Sequence, residues 1–510
     1  MKKVLIIVGL FGYSVISNAQ NGAFGYYEDA LRFGQSDYGL GSTARMQAIG
    51  GAQISLGGDI SSAVSNPAGL GFFNKSVFTV SPSLNFATAE TDYFIDREGQ
   101  GLQGAQDNFY NNFSLANIGA VINWNKGRFS SDPFKGGSLA ISISRANNYR
   151  LNRSYEGIND FNSLADAVAD QSFNIDPNNL NELAFAAFDQ YLISPFDENG
   201  NLVYEADFAG FPVQNETIEE RGSHYQMNIA WGGNYDDRFY FGGGMGMQFL
   251  NYRQNRVYQE FDFGTTANDQ FIPDPRLSSF TLADDLDIRG TGINFNLGVI
   301  ARPLPFVTIG ASYTSPSFIS FSEESFLDLD ADWKAGATSL EGDDISNIEP
   351  YQGALLVSNY NLRTPSKVGL GATLFVGKSG FLSGDVEFVD YTNATINSND
   401  FIAAGDNQAI DNIYASVMNV RVGGEYRIES FRLRAGYAFL PSPYQSSNLN
   451  EQTSLSFGFG YRTNDYFLDF ALVRRDRTVQ YVPYETFENQ PVATTDIEDT
   501  VFTVTWGINF

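Results

Sequence analysis

The chain has 510 residues, among them 50 glycines, 44 phenylalanines and 27 tyrosines, and its 59 acidic against 31 basic side chains leave a formal net charge of −28. That charge argues against a nucleic-acid partner, because such binding rests on neutralising phosphates with Lys and Arg. Cysteine is absent, which removes disulfides, thiolate metal sites and cysteine nucleophiles together.

Residues 1–19 read as a signal peptide. Lys2 and Lys3 precede an apolar stretch from Val4 to Ile16, and Ser17 and Ala19 are placed for cleavage after Ala19, so that the mature chain starts near Gln20. The stretch is too short for a spanning helix, which needs about 20 residues. No later segment is long and apolar enough either, so membrane contact has to come from alternating strands. Residues 20–75 are rich in Gly, Ala and Ser and do not alternate. They read as a compact N-terminal hatch inside a barrel, whose small residues permit close packing against the wall.

From Ser76 onward, runs of period two recur between clusters of Gly, Asn, Asp, Ser and Pro. They predict strands near 76–92, 112–125, 138–154, 222–234, 239–262, 287–302 and 305–322. Seven more fall near 360–376, 381–396, 415–428, 430–440, 453–463, 466–482 and 498–510. The count of fourteen is even, as in bacterial single-chain barrels. In the last run Phe502, Val504, Trp506, Ile508 and Phe510 share one face, and Thr503, Thr505, Gly507 and Asn509 share the other. That is a lipid-facing row opposite a polar lumen row. Val420, Val422, Tyr426 and Ile428 likewise oppose Asn419, Arg421, Glu425 and Arg427. Short turns at 235–238, 303–305, 378–379, Glu429 and Asn464 alternate with long loops, which places the short ones at the periplasmic rim.

The longest loop, 157–221, carries helical spacing at 161–173 and 179–193, with Asn162 and Asn179 as expected N-caps. Its Leu180, Leu183, Phe185, Phe188 and Leu192 form either a small loop core or an apolar groove that receives a hydrophobic ligand, and the two readings are compatible. Asp197 to Asn201 reads as a hairpin turn between Phe196 and Leu202. Asp328, Asp330 and Asp332 lack the Gly and terminal Glu of a calcium loop, and Gly242 to Gly246 lies inside a strand with no helix after it. No metal or other cofactor is expected.

Strand parity points Arg421, Arg432 and Arg434 into the lumen near a periplasmic turn. Each is either a contact for a ligand carboxylate or an ion-pair partner of Glu425, Asp385 or Glu387, with Arg32 and Arg45 of the hatch as alternative cations. The single histidine, His224, falls at the start of a predicted strand and reads as a solvated rim residue rather than a haem ligand. With no nucleophile motif beside it, no catalytic residue is assigned.

Gly57 to Leu70, with Asn66-Pro67-Ala68 at its centre, resembles the hatch motif of the FadL-type outer-membrane transport proteins. The resemblance continues through Thr364 to Gly371, Glu425-Tyr426-Arg427, Leu433 to Tyr437, Leu455 to Tyr461 and the terminal aromatic, so it spans essentially the whole mature chain. It implies a monomeric barrel in the outer membrane of a Gram-negative bacterium that admits hydrophobic molecules, long-chain fatty acids above all. It also implies that Asn66, Pro67 and Ala68 act as the gate, and that ligand leaves sideways where a strand kinks inward beside the hatch. The outer loops are larger than the enterobacterial pattern, and the Ala-Gln cleavage region is similar to the Bacteroidetes branch. There, barrels of this type also serve secretion, and some are described as haemin receptors. The expected fold is therefore a 14-stranded antiparallel transmembrane β-barrel with an N-terminal hatch and a partly helical extracellular loop. Its expected partners are membrane lipid and a hydrophobic ligand, with a secretion or structural role holding a protein partner as the rival and haem uptake as a further one.

Overall fold

The computed structural model describes residues 25–35, 39–95, 101–126, 132–267, 270–340, 342–486 and 489–510. The expected leader, 1–19, and the expected start of the hatch, 20–24, lie outside them. Fourteen antiparallel strands form one sheet: β1 (Val77–Ile95), β2 (Gly101–Asn125), β3 (Phe134–Asn148, resuming at Leu151–Ile158), β4 (Phe211–Tyr235), β5 (Phe239–Ala267), β6 (Leu277–Leu304) and β7 (Val307–Thr314, resuming at Phe318–Trp333). They continue as β8 (Leu356–Arg363, resuming at Lys367–Val376), β9 (Gly380–Asp390, resuming at Thr395–Ser398), β10 (Ser416–Ile428), β11 (Phe431–Leu440), β12 (Gln452–Arg462), β13 (Tyr466–Tyr481) and β14 (Pro491–Asn509). β14 pairs with β1 from Val77 opposite Asn509 to Ile95 opposite Pro491. The sheet thereby closes on itself and leaves no edge.

Parity sets the two faces. On β6, Ile293, Phe295, Leu297 and Val299 are exposed while Asn294, Asn296 and Ile300 are buried. On β14, Thr503 and Thr505 are buried, whereas Trp506 and Phe510 stand outside. Among the described residues no helix is long and apolar enough to cross a membrane. The exposed apolar rows on the outer face of the closed sheet form the membrane belt.

The strands are longer than the sequence pattern predicts. β2 begins at Gly101 rather than near 112, β4 at Phe211 rather than near 222, β6 at Leu277 rather than near 287, and β7 runs to Trp333 rather than 322. The reason is visible on the outward face. Above Ile293, β6 presents Arg289, Asp287 and Asp285, and above Phe249, β5 presents Asn251, Arg253 and Asn255. Beyond the belt both faces are polar, so the apolar alternation ends while the backbone ladder continues.

The loop after β3 forms a cap of two helices, α4 (Leu164–Gln171) and α5 (Glu182–Asp189), and a hairpin (Ile193–Glu198 and Asn201–Ala206) turning at Asn199 and Gly200, both with positive φ. The hairpin turn expected at 197–201 is therefore present. The N-caps are Ser163 and Asn181, not Asn162 and Asn179. Ser163 and Asp166 close a capping box, and Asn181 accepts from Ala184 N, while Asn162 is drawn into bonds with Asn159 and Tyr484. Ser163→Ala is expected to weaken α4 by about 1 kcal/mol. Hydrogen exchange of 164–171 would then rise on the order of fivefold, and unchanged exchange would show that tertiary packing alone holds the helix.

Candidate functional site

The hatch enters the lumen with α1 (Tyr27–Gly34), α2 (Ala44–Gln47), α3 (Ser62–Ser65) and a 3-10 turn (Pro67–Phe72). Asn66 is fully buried and organises the last turn. Its side-chain oxygen accepts from Ala68 N at 3.1 Å, and its Nδ2 donates to Ile54 O at 2.7 Å and to Ala311 O on β7 at 3.2 Å. Pro67 fixes φ at the first position of that turn, where a missing N–H costs nothing. Glycines on the wall make room for this motif. A Cβ at Gly298 would collide with Asn66 Oδ1, and one at Gly242 would stand 2.5 Å from the carbonyl carbon of Pro67. Ile49 and Gly50 seat in the same way against Gly423 and Gly436. The lumenal glycines are thus recesses for hatch backbone.

Charge fastens the other side. Glu425 Oε2 accepts from Arg434 Nε at 2.8 Å, and Glu425 Oε1 accepts from Arg427 Nε at 2.8 Å. Arg434 also donates to Asp469 Oδ1 at 2.6 Å, and Arg462 donates to Asp469 Oδ2 at 3.3 Å. Arg45 of the hatch joins through Glu425 at 3.7 Å and Asp59 at 4.0 Å. Burial, followed by the nearby Arg462 guanidinium, pulls Arg45 down to about 10. Of the three arginines expected in the lumen, Arg434 is held in this network by two carboxylates and Arg421 pairs with Glu387 at 3.2 Å. Arg432 lies at the rim and donates to the carbonyls of Glu429 and Phe431. Arg421 lines a cavity of about 30 Å³ between hatch and wall.

Between β2 and β3 the wall has a seam beside the hatch. β2 and β3 share a ladder only from Asn117 opposite Ser144 to Asn125 opposite Gly136. Past a register shift between Arg145 and Asn147 and a break at Tyr149 and Arg150, the second half of β3 pairs with β4 alone. It lies inside the lumen: Tyr155 stacks on lumen-facing Tyr93 at 4.3 Å, and Leu151 packs with Ala87, Ala89 and Ile497. Three side-chain bonds replace the ladder, Asn108 to Ser154 at 2.9 Å, Ser154 to Gln106 at 2.8 Å and Asn112 to Asn148 at 3.4 Å. Phe109 and Phe113 flank the seam on the lipid side and are 64% and 71% exposed. Phe113 stands opposite Leu84, within the apolar belt. The hatch runs past the root of the seam, where Asn147 donates to Gln35 O at 3.1 Å.

Higher in the lumen, α1 is pinned by Tyr414 Oη to Tyr27 O at 2.9 Å and by Tyr360 Oη to Asp29 at 2.7 Å. Burial pushes the Asp29 carboxyl above its usual range. His224 is not a rim residue, as the sequence reading expected. β4 starts thirteen residues earlier, so His224 lies well inside the strand on the lumenal row and is buried. In the cap, Leu192 is buried, Leu180, Leu183 and Phe188 pack against the cap core, and Phe185 stays 38% exposed with its ring 5.8 Å from Tyr351.

A closed antiparallel barrel with an apolar belt and a lumen filled by its own N-terminal segment defines an outer-membrane β-barrel with an internal hatch. Its fold is similar to that of a Pseudomonas aeruginosa FadL homologue, at 13% identity and a TM-score of 0.53 over 92% of this chain and 98% of that one. It is also similar to the CymD monoaromatic hydrocarbon channel (13% identity, TM-score 0.48, 92% and 98% covered) and to the Ralstonia pickettii toluene transporter TbuX (13%, 0.47, 93% and 100%). No family model matches the sequence, and no curated protein does.

Proposed function

We propose that this barrel is a passive outer-membrane channel for hydrophobic compounds, long-chain fatty acids or related amphiphiles, acting as a monomer. The observation that carries the reading is the seam between β2 and β3. There three side-chain bonds hold the wall, the one from Asn112 to Asn148 at the level of the apolar belt and the other two above it, with two exposed phenylalanines outside and the hatch at its root. A polar solute gains nothing from an exit into lipid, whereas a hydrophobic one gains roughly 25 cal/mol per Å² of apolar surface transferred.

In this reading Leu180, Leu183, Phe185, Phe188 and Leu192 open as the outer apolar groove, and Asn66, Pro67 and Ala68 hold the gate. Arg421, beside the cavity, meets a ligand carboxylate by exchange with Glu387, a role less suited to Arg434, whose fork is already occupied by two carboxylates. Uptake of labelled oleate by a deletion strain, with and without the gene restored, tests the proposal together with native mass spectrometry of the purified barrel. Restored uptake and a bound amphiphile are the expected results. Unchanged uptake with a stoichiometric protein partner would transfer the chain to a secretion or structural role.

A further inference from the structure

The chain as a whole is acidic, yet one side of the rim that carries its short turns is not. Arg302 lies near the end of β6, Arg427 near the end of β10, Arg432 near the start of β11, and Arg462 closes β12. Each shares the parity of a buried lumenal residue on its own strand, Ile300, Glu425, Arg434 and Ser456, so all four belong to the inner face, at the mouth below the hatch. Three lie over phenylalanine rings: Arg302 is 5.8 Å from both Phe72 of the hatch and Phe375, Arg427 is 5.9 Å from Phe381, and Arg462 is 4.5 Å from Phe467. Such stacking holds the face of a guanidinium and leaves its N–H edge for an anion. The acids that balance part of this charge lie deeper, since Glu425 and Asp469 are buried while Arg427 and Arg462 are 33% and 28% exposed. Solvent at the mouth therefore meets cations first.

Lys378, in the turn between β8 and β9, and Lys75, at the end of the hatch, are exposed and extend the same arc, on which the exposed acids are Glu429 and Asp465. Arg427 and Arg462 pair with Glu425 and Asp469, whereas Arg302, Lys378, Arg432 and Lys75 make no salt bridge among the described residues. Across the rim the charges cancel locally: Lys126 pairs with Asp132 and Arg238 with Asp236. β6 and β12 are six strand spacings apart, which at about 4.8 Å each is roughly 29 Å along the wall. A lone carboxylate reaches one of these cations, whereas an extended acidic segment of about nine residues, at ~3.3 Å per residue, reaches the whole arc. We propose that the arc docks an acidic segment of a periplasmic protein, laid across the lower mouth of the barrel and touching the hatch beside Phe72. An anionic lipid fits this surface less well, because headgroups surround the outer face and the four guanidiniums belong to the inner one. The surface rests on the periplasmic placement of the short turns, and not on the uptake reading.

Fluorescence anisotropy of a labelled decaglutamate peptide, titrated with the full-length barrel in nanodiscs of neutral lipid, tests the surface. Saturable binding is expected, at least about tenfold tighter than for tetraglutamate, because the longer peptide engages more of the arc. Arg302→Gln with Lys378→Gln and Arg432→Gln removes three cations that hold no carboxylate, so heat-modifiable gel mobility should be kept while decaglutamate affinity falls about tenfold or more. Lys75→Gln with Lys378→Gln, both at exposed positions, should give a smaller fall of about threefold, and Lys126→Gln with Lys135→Gln, across the rim, should change the affinity by less than about twofold. No saturable binding by the wild-type protein, or undiminished affinity in the triple and Lys75/Lys378 variants, overturns the proposal. So does phosphatidylglycerol that co-purifies with the wild-type barrel and is lost from the triple variant in the absence of peptide binding, which would assign the arc to lipid. Decaglutamate binding by a barrel that fails the oleate uptake assay leaves this surface standing and removes the channel reading alone.

Discussion

Valine in place of Gly298 is expected to unseat the hatch while the barrel stays closed. Any Cβ at this position collides with Asn66 Oδ1, and Asn66 cannot give way. Its amide is shared between Ile54 O, Ala311 O and Ala68 N, so a shift of the side chain breaks bonds on hatch and wall together. Overpacking of this kind costs about 1–3 kcal/mol or more, and each hydrogen bond lost in the displaced turn adds about 1 kcal/mol. The β6 ladder to β5 passes through residue 298 and is indifferent to the side chain, and valine suits a strand. Planar-bilayer recordings should therefore show conductance at least about tenfold above the unsubstituted protein, while heat-modifiable mobility is retained. Gly298→Ala should give a smaller rise, and unaltered conductance in both would mean that the motif at Asn66 does not close the lumen.

The second large effect is expected at Arg434, whose side chain is fully buried between Glu425 and Asp469. Arg434→Leu leaves two carboxylates in the lumen wall without their shared cation. Breaking a buried pair from one side costs about 3–5 kcal/mol, because the remaining charge stays desolvated. Replacing all three residues, Arg434→Leu with Glu425→Gln and Asp469→Asn, removes the charges together and should recover most of the loss. Urea unfolding of the barrel in lipid vesicles reads both. A single variant within about 1 kcal/mol of the parent would mean that Arg427 and Arg462 suffice to hold the carboxylates.

How much of this was legible in the sequence depended on where the apolar belt lies. Inside the belt, rows such as Val422, Tyr426 and Ile428 against Arg421 and Glu425 give both strand and facing, and the structure repeats them. Outside the belt the outward face is as polar as the inward one, so the upper parts of β2, β4, β6 and β7 carry no such alternation. His224 lies inside its strand for that reason: the alternation begins near residue 222, whereas the strand begins at Phe211. Parity put Arg434 in the lumen and named Glu425 as a partner, but missed Asp469. The signal was present, since Asp469 is the one acid between Tyr466 and Val473 and falls on the inward row with Phe467 and Ala471. Small lumenal residues could be expected from fifty glycines, yet the pairing of Gly298 with Asn66 or Gly436 with Gly50 joins positions hundreds of residues apart. No local pattern records such a pairing. The break at Tyr149 and Arg150 fell within a run read as one strand, because its cause is the lumenal packing of Leu151 and Tyr155 against β1 and β14.

The central claim is that the seam between β2 and β3 is the way out for a hydrophobic ligand. Because the chain has no cysteine, Asn108→Cys with Ser154→Cys introduces a single pair across the seam, at side chains already within hydrogen-bond distance. Labelled oleate uptake by cells carrying this variant, measured before and after addition of a reductant, tests the claim directly. The account predicts uptake near the deletion-strain background when the pair is oxidised and a return to the wild-type rate on reduction. Full uptake through a barrel whose disulfide is verified as closed would contradict it.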